Sequence, residues 1–86
     1  MIRRAAEIIH LEEACPVEDA ELLLQHIQEG GTVIDWSACT LLHSACLQVM
    51  LAAKIPVRGT PKNPALARWV APKLAAALPL ATLMEI

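Results

Sequence analysis

The chain predicts a small α/β domain, built as a mixed, mostly parallel sheet covered by helices. Three observations carry that expectation. Short β-branched runs alternate with stretches of helical apolar spacing, in the order strand, helix, strand, helix, strand, helix. Cys15-Pro16, Gly30-Gly31 and Asn63-Pro64 punctuate the joins. The 86 residues are 56 % hydrophobic yet include two Trp and no Phe or Tyr, so 13 Leu and 15 Ala must fill one aliphatic core. A single domain over residues 1–86 follows.

Residues 6–11, with Ile8-Ile9 and His10-Leu11 ahead of the acidic Glu12-Glu13, read as the one strand before the first helix. Pro16 suits the first position of a helix over 16–29, and Glu18, Asp19 and Glu21 complement its dipole. Val17, Ala20, Leu23, Leu24 and Ile27 form its apolar stripe, and Gly30-Gly31 stops it. Residues 32–36 read as a β-branched strand ending at Ser37, with 38–42 as a connection. A second helix spans about residues 44–53. Ala45, Cys46, Leu47, Val49, Met50, Leu51 and Ala52 leave it almost no polar face, which predicts cover on most sides. Residues 55–59 form the next strand, and Pro56, lacking an amide donor, puts it at a sheet edge or marks its start. Asn63-Pro64 is an N-cap followed by proline at the first helical position. Leu66, Trp69 and Val70 mark the buried stripe, and Pro72 is expected to end or kink that helix near Ala71. Residues 73–78 read as a second short helical piece, and 80–86 as either a last strand or a packed helix.

Composition excludes several classes. The chain is too apolar for disorder, too poor in cysteine for a disulfide scaffold, and without the aromatic platforms of single-strand nucleic-acid binders. No nucleic-acid partner is expected. Residues 1–35 carry Arg3 and Arg4 against eight acidic side chains, whereas 36–86 carry five basic ones against Glu85 alone. This asymmetry reads as two solvated helix faces, or as acidic and basic surfaces suited to head-to-tail assembly. Residues 36–53 form an 18-residue run without Asp, Glu, Lys or Arg, the bare length of a membrane span. Ser37, Thr40, His43, Ser44 and Gln48 would lack partners in lipid, so the run reads as a buried strand, loop and helix with no direct membrane insertion. Cys15, Cys39 and Cys46 form no C-x-x-C pair and follow no secretory signal, so they read as reduced thiols of a cytoplasmic protein.

No catalytic signature emerges: there is no glycine-rich phosphate loop, nucleophile elbow or paired-carboxylate motif. Asp35, His43 and Ser44 supply the residue types of a hydrolytic triad, but that chemistry needs them mutually in hydrogen-bond reach. Neighbours at a helix start point in different directions. His43 reads instead as an exposed or capping residue, and Asp35 as a strand-end polar group. His43 between Cys39 and Cys46 invites a metal reading, yet a structural zinc site wants four ligands in a recognised spacing. No metal or cofactor is expected.

The informative stretch runs from Val33-Ile34-Asp35-Trp36-Ser37 to Ser44-Ala45-Cys46-Leu47-Gln48-Val49-Met50-Leu51. A strand ends in Asp, residues intervene, and a helix opens with a small polar residue before a Leu-rich run. This resembles the STAS domain family, which includes anti-sigma factor antagonists, cytoplasmic domains of sulfate transporters, and a subunit of bacterial phospholipid-transport complexes. The family pattern there is D-L-S, a connection, then D-S-S-G-L. The resemblance covers about residues 8–69 and rests on the order of elements as much as on the letters. Relative to the family the chain looks trimmed, with one strand where a two-stranded start is common. The resemblance implies that Ser44 matches the serine phosphorylated by a partner kinase. His43, Ala45 and Cys46 stand where the family carries Asp, Ser and Gly. A phosphate on Ser44 would meet the free amides of a helix N-terminus and add about two negative charges to a docking surface. Ser44 equally reads as a plain N-cap of the helix.

The expected function is therefore a non-enzymatic, cytoplasmic regulatory domain. It would bind a kinase-type anti-sigma factor or a chemotaxis-type signalling protein through Thr40, Leu42, His43, Ser44, Cys46 and Gln48. Homodimerisation through an open sheet edge is a further option. Two other readings stand beside it. One is a constitutive STAS-type subunit of a membrane-associated transporter complex, docking an ATPase without a phosphorylation cycle. The other is a small-ligand module whose pocket is lined by Trp36 and Trp69.

Overall fold

A computed structural model describes residues 1–77, and its frame is a four-stranded mixed sheet in the order β1-β2-β3-β4. Strands β1 (Ile2–Ala5) and β2 (Ile8–Cys15) form an antiparallel hairpin, with Arg3 opposite His10 and Ala5 opposite Ile8. A two-stranded start thus replaces the single strand expected over 6–11. The hairpin has no sequence signal because its two-residue turn, Ala6-Glu7, contains neither Asn nor Gly. Ala6 nonetheless takes φ +55°, a left-handed conformation that costs an L-residue about 1 kcal/mol.

Helix α1 (Glu18–Gln28) starts two residues later than expected, after a turn in which the Pro16 carbonyl accepts the Asp19 amide at 3.0 Å. Its end follows the glycines. Gly30, at φ +119°, donates to the Ile27 carbonyl, and Gly31 donates to that of His26 at 2.9 Å. Together these make the double closure of a Schellman motif. Of the expected apolar stripe Leu23 is buried, while Val17 and Leu24 stay exposed.

Strand β3 (Val33–Leu42) departs most from expectation. The short strand and the connection predicted over 32–42 are one ten-residue strand, parallel to β2 from the pair Ile8–Val33 to the pair Cys15–Leu42. Two register shifts hid it. Between His10 and Glu12 of β2, β3 advances from Asp35 to Ala38, and between Glu13 and Ala14 it advances from Cys39 to Leu41. Each time β3 spends one residue more than its partner, and each such bulge moves the inward phase by one. Buried side chains accordingly fall at Ile34, Trp36 and Cys39. Strict alternation fails there, so the second half reads as a loop.

Helix α2 (Ser44–Ala53) occupies its expected span. Its cover is thinner than expected: Cys46 and Met50 are buried, whereas Ser44, Gln48 and Ala52 are exposed. The charge-free run 36–53 is therefore part strand and part ten-residue helix, and no described helix is long and apolar enough to cross a membrane. Strand β4 (Val57–Arg58) is shorter than expected and pairs in parallel with Ile34 and Asp35 at the sheet edge. Pro56 immediately precedes it and lends its carbonyl to the Ile34 amide at 2.9 Å.

Asn63 caps as expected, its Oδ1 accepting the Ala65 amide at 2.8 Å. The chain then makes a π-helical turn (Leu66–Val70) and continues directly into α3 (Ala71–Ala77). Pro72 does not end the helix. The Ala71 amide reaches back to the Leu66 carbonyl, and this wider turn accommodates a ring that has no amide to donate. Trp69 leaves the expected stripe and is 64 % exposed, while Leu74 is buried. The residues 80–86 lie outside the described ones.

One cluster joins Ile9, Leu11, Ile34, Trp36 and Val57 of the sheet to Leu23, Met50 and Leu74 of the helices. Each fully buried aliphatic there contributes about 2 kcal/mol. The alternate sheet face carries a polar row in register across all four strands: Arg3, His10, Asp35 and Arg58. None of the four is buried.

Candidate functional site

Strand β3 carries the first part of the motif. Asp35 is the third residue of the strand, not its end. Its Oδ1 accepts the Ser37 amide at 2.9 Å and the Ser37 hydroxyl at 2.6 Å, and its Oδ2 accepts Arg58 Nε at 2.9 Å. Partial burial acts to raise the Asp35 pKa, but the hydrogen bonds from Ser37 and Arg58 and the Arg58 charge outweigh it. They hold the carboxyl below its ordinary value. Trp36 points inward and donates Nε1 to the Gly59 carbonyl at 2.9 Å. Gly59 has φ +88°, and a Cβ on it would lie 2.9 Å from that of Ser37. The Asp-x-Ser sequence is thus a clasp that holds the first bulge and ties β3 to β4.

The second bulge builds an exposed end. Thr40 is its extra residue, and the Thr40 carbonyl accepts Asn63 Nδ2 at 2.7 Å. The neighbouring Cys39 carbonyl accepts the Lys62 amide at 3.0 Å. Because β4 pairs no further than Asp35, the segment ahead of the last helix covers this edge instead. Leu41 follows and is 62 % exposed, and Leu42 is half-buried. His43 is extended, and its Nδ1 accepts the Ala45 amide at 3.0 Å. His43 is therefore the N-cap of α2, in agreement with its capping reading. The same geometry overturns the N-cap reading of Ser44. Ser44 is the first helical residue, exposed, and its hydroxyl makes no hydrogen bond among the described residues. Gln48 stands exposed one turn further along.

Cys46 does not belong to this surface. It is fully buried, and its thiol donates to the Pro16 carbonyl at 3.4 Å. Burial pushes that thiol up to about 11, with the Cys15 and Asp19 charges adding to the shift. Cys15 and Cys39 face the same core from neighbouring strands. Their mutual proximity lowers the Cys15 pKa and raises that of Cys39, whose thiol donates to the Leu41 carbonyl at 3.5 Å. All three thiols are free and buried.

The arrangement does not gather a triad: Asp35 is held by Ser37 and Arg58, and His43 is occupied with its cap. Among the described residues no group of three His, Cys, Asp or Glu side chains is placed to hold a metal ion. Trp36 and Trp69 do not share a pocket, since one is buried against Gly59 and the other projects into solvent. An apolar groove of about 410 Å³ instead runs between α1 and α2, lined by Leu24, Ile27, Gln48, Val49, Ala52 and Ala53. Sequence reasoning missed Leu41 and the second role of Asn63. The exposure of Leu41 follows from the bulge phase, and no local signal marks the reach of Asn63 across to Thr40.

No protein-family model, curated protein or solved structure matches the chain.

Proposed function

We propose that this chain is a non-enzymatic, STAS-like interaction domain of the cytoplasm that docks a kinase-type signalling partner on the end of β3 and the first turn of α2. The observation that carries this reading is the state of Ser44. It opens a helix, it is exposed, and its hydroxyl is left free because His43 does the capping. Thr40, Leu41 and His43 are exposed beside it in sequence, with half-buried Leu42 as their anchor. The two-stranded start followed by helix, strand, helix, strand and helix also supports it. The first turn of α2 holds no acidic side chain, so a phosphate on Ser44 would sit at the positive end of the helix dipole without a local repulsion. Its charge of about −2 would then confront the partner.

Calorimetric titration with a kinase-type anti-sigma factor tests the reading, with wild type, Ser44→Ala and Ser44→Asp compared. Wild type and Ser44→Ala should bind alike, and Ser44→Asp should bind at least about tenfold more weakly, a loss of about 1.4 kcal/mol. Incubation with that kinase and ATP should add one phosphate to wild type by intact mass and none to Ser44→Ala. Equal binding by all three proteins, with no phosphate gained, would replace the switch by the constitutive-subunit reading. Absence of binding by any of them would remove the partner class altogether.

A further inference from the structure

The groove between α1 and α2 is a second surface, and the same chain carries its complement. Its walls are apolar apart from Gln48. Leu24 lies on those walls and is 44 % exposed, a large aliphatic left in water at the middle of a helix. The α1 side is acidic. Glu21 lies one turn before Leu24 on the same helix face, Glu18 is in the first turn, and the helix contains no Lys or Arg. The opposite character belongs to the last helical segment. Trp69 projects from the π turn at 64 % exposure, with the Arg68 guanidinium 5.2 Å from its ring centre. Lys62 and Lys73 are exposed on the same segment, and residues 62–74 include no acidic side chain.

We propose that a second copy of this chain seats its Trp69 in the α1–α2 groove. The groove volume of about 410 Å³ admits an indole. An aromatic anchor entering an apolar pocket, with cationic neighbours around it, is the usual core of a protein–protein hot spot. Arg68 and Lys73 of one copy meet the Glu18 and Glu21 side of the other, which selects the orientation and makes the contact weaken with added salt. The π turn is what presents the indole, because the register change there turns Trp69 away from the stripe formed by Leu66, Val70 and Leu74. Unlike patches meet in this contact, so one intact groove and one intact indole suffice for a pair.

Sedimentation equilibrium over about 10 µM to about 1 mM, the range of weak association, tests it. The average mass of wild type should rise with concentration, and the iodide-quenchable Trp fluorescence should fall as Trp69 is covered. Trp36, being buried, contributes little to that quenching. Trp69→Ala and Leu24→Lys should each stay monomeric. Both positions are exposed, so unchanged circular dichroism and melting verify that the variants fold. An equimolar mixture of the two should associate again, since Trp69→Ala keeps the groove and Leu24→Lys keeps the indole. Wild type that stays monomeric throughout would overturn the proposal and leave the groove to an unrelated apolar segment. Association that survives Trp69→Ala, or a mixture that stays monomeric, would overturn it as well.

Discussion

The two halves of β3 meet the same geometric problem, one residue too many, in opposite ways. At the first bulge every polar group is consumed: Asp35 takes three hydrogen bonds, Trp36 gives its indole N–H to Gly59, and Arg58 clamps the neighbouring strand. At the second bulge the Cys39 and Thr40 carbonyls are taken by Lys62 and Asn63, but Leu41 and Ser44 are left facing water. The difference separates structure from candidate function within one motif. Asp35 supplies a triad residue type in sequence but serves, with Ser37, to hold strands together. Ser44 is the group left over, and leftover polar and apolar groups are what a partner can use.

The contrast can be broken from either side. The largest effect should come from Asp35→Ala, which removes three hydrogen bonds to an ionised carboxylate, one of them from a guanidinium, and leaves Arg58 unpaired. A loss of about 2–3 kcal/mol in urea unfolding is expected, with partner binding little changed once the protein is folded. A loss under about 0.5 kcal/mol would mean that the clasp is not structural. The pH dependence follows from the lowered Asp35 pKa. Its stabilisation is full above the unfolded value of about 3.9 and is lost as pH falls through the lower folded value. The stability gap between wild type and Asp35→Asn should therefore narrow below about pH 4. Asn63→Ala comes next, at about 1–2 kcal/mol, because it deletes a helix cap and the tie to Thr40 together. It should also raise amide exchange around Thr40, a readout that loss of the cap alone would not move. His43→Ala should cost about 1 kcal/mol through the N-cap of α2. Unlike Asp35→Ala, it should also change partner affinity, because His43 lies on the exposed end.

The helices were legible because their signals are local. Gly30-Gly31 closes α1 by bonds to His26 and Ile27, and Asn63 caps its own helix two residues on. The α2 span could be read for the same reason, although not which residue caps it: serine is the commoner cap, and here an extended His43 outcompetes Ser44. What failed was non-local. β1 was invisible because its turn uses Ala6 at a positive φ where glycine or asparagine would have advertised it. The far half of β3 was invisible because bulges are defined by the partner strand, and β2 leaves no mark in the sequence of β3. Pro72 was misjudged since the π turn that receives it depends on Ala71 reaching Leu66. For the candidate site, Ser44 and Thr40 are singled out by pattern and both are exposed, whereas the burial of Cys46 requires knowing that Pro16 lies above its thiol.

The paired bulges also set a parity for the strand. Two extra residues restore at Leu42 the facing that β3 had at Ile34 and Trp36, so the chain enters α2 with the same hand it would have had with neither bulge. Deletions at the bulges and deletions in the regular pairs should then behave as different classes. Removing the extra residue of a bulge, Thr40 for example, lets β3 pair one for one with β2 there and leaves Leu42 opposite Cys15, still facing inward. Removing a residue from the regular pairs at Val33 to Asp35 instead inverts the facing of what lies between the deletion and the first bulge. Chains of this architecture are thus free to shorten β3 at its bulges far more readily than in its regular pairs.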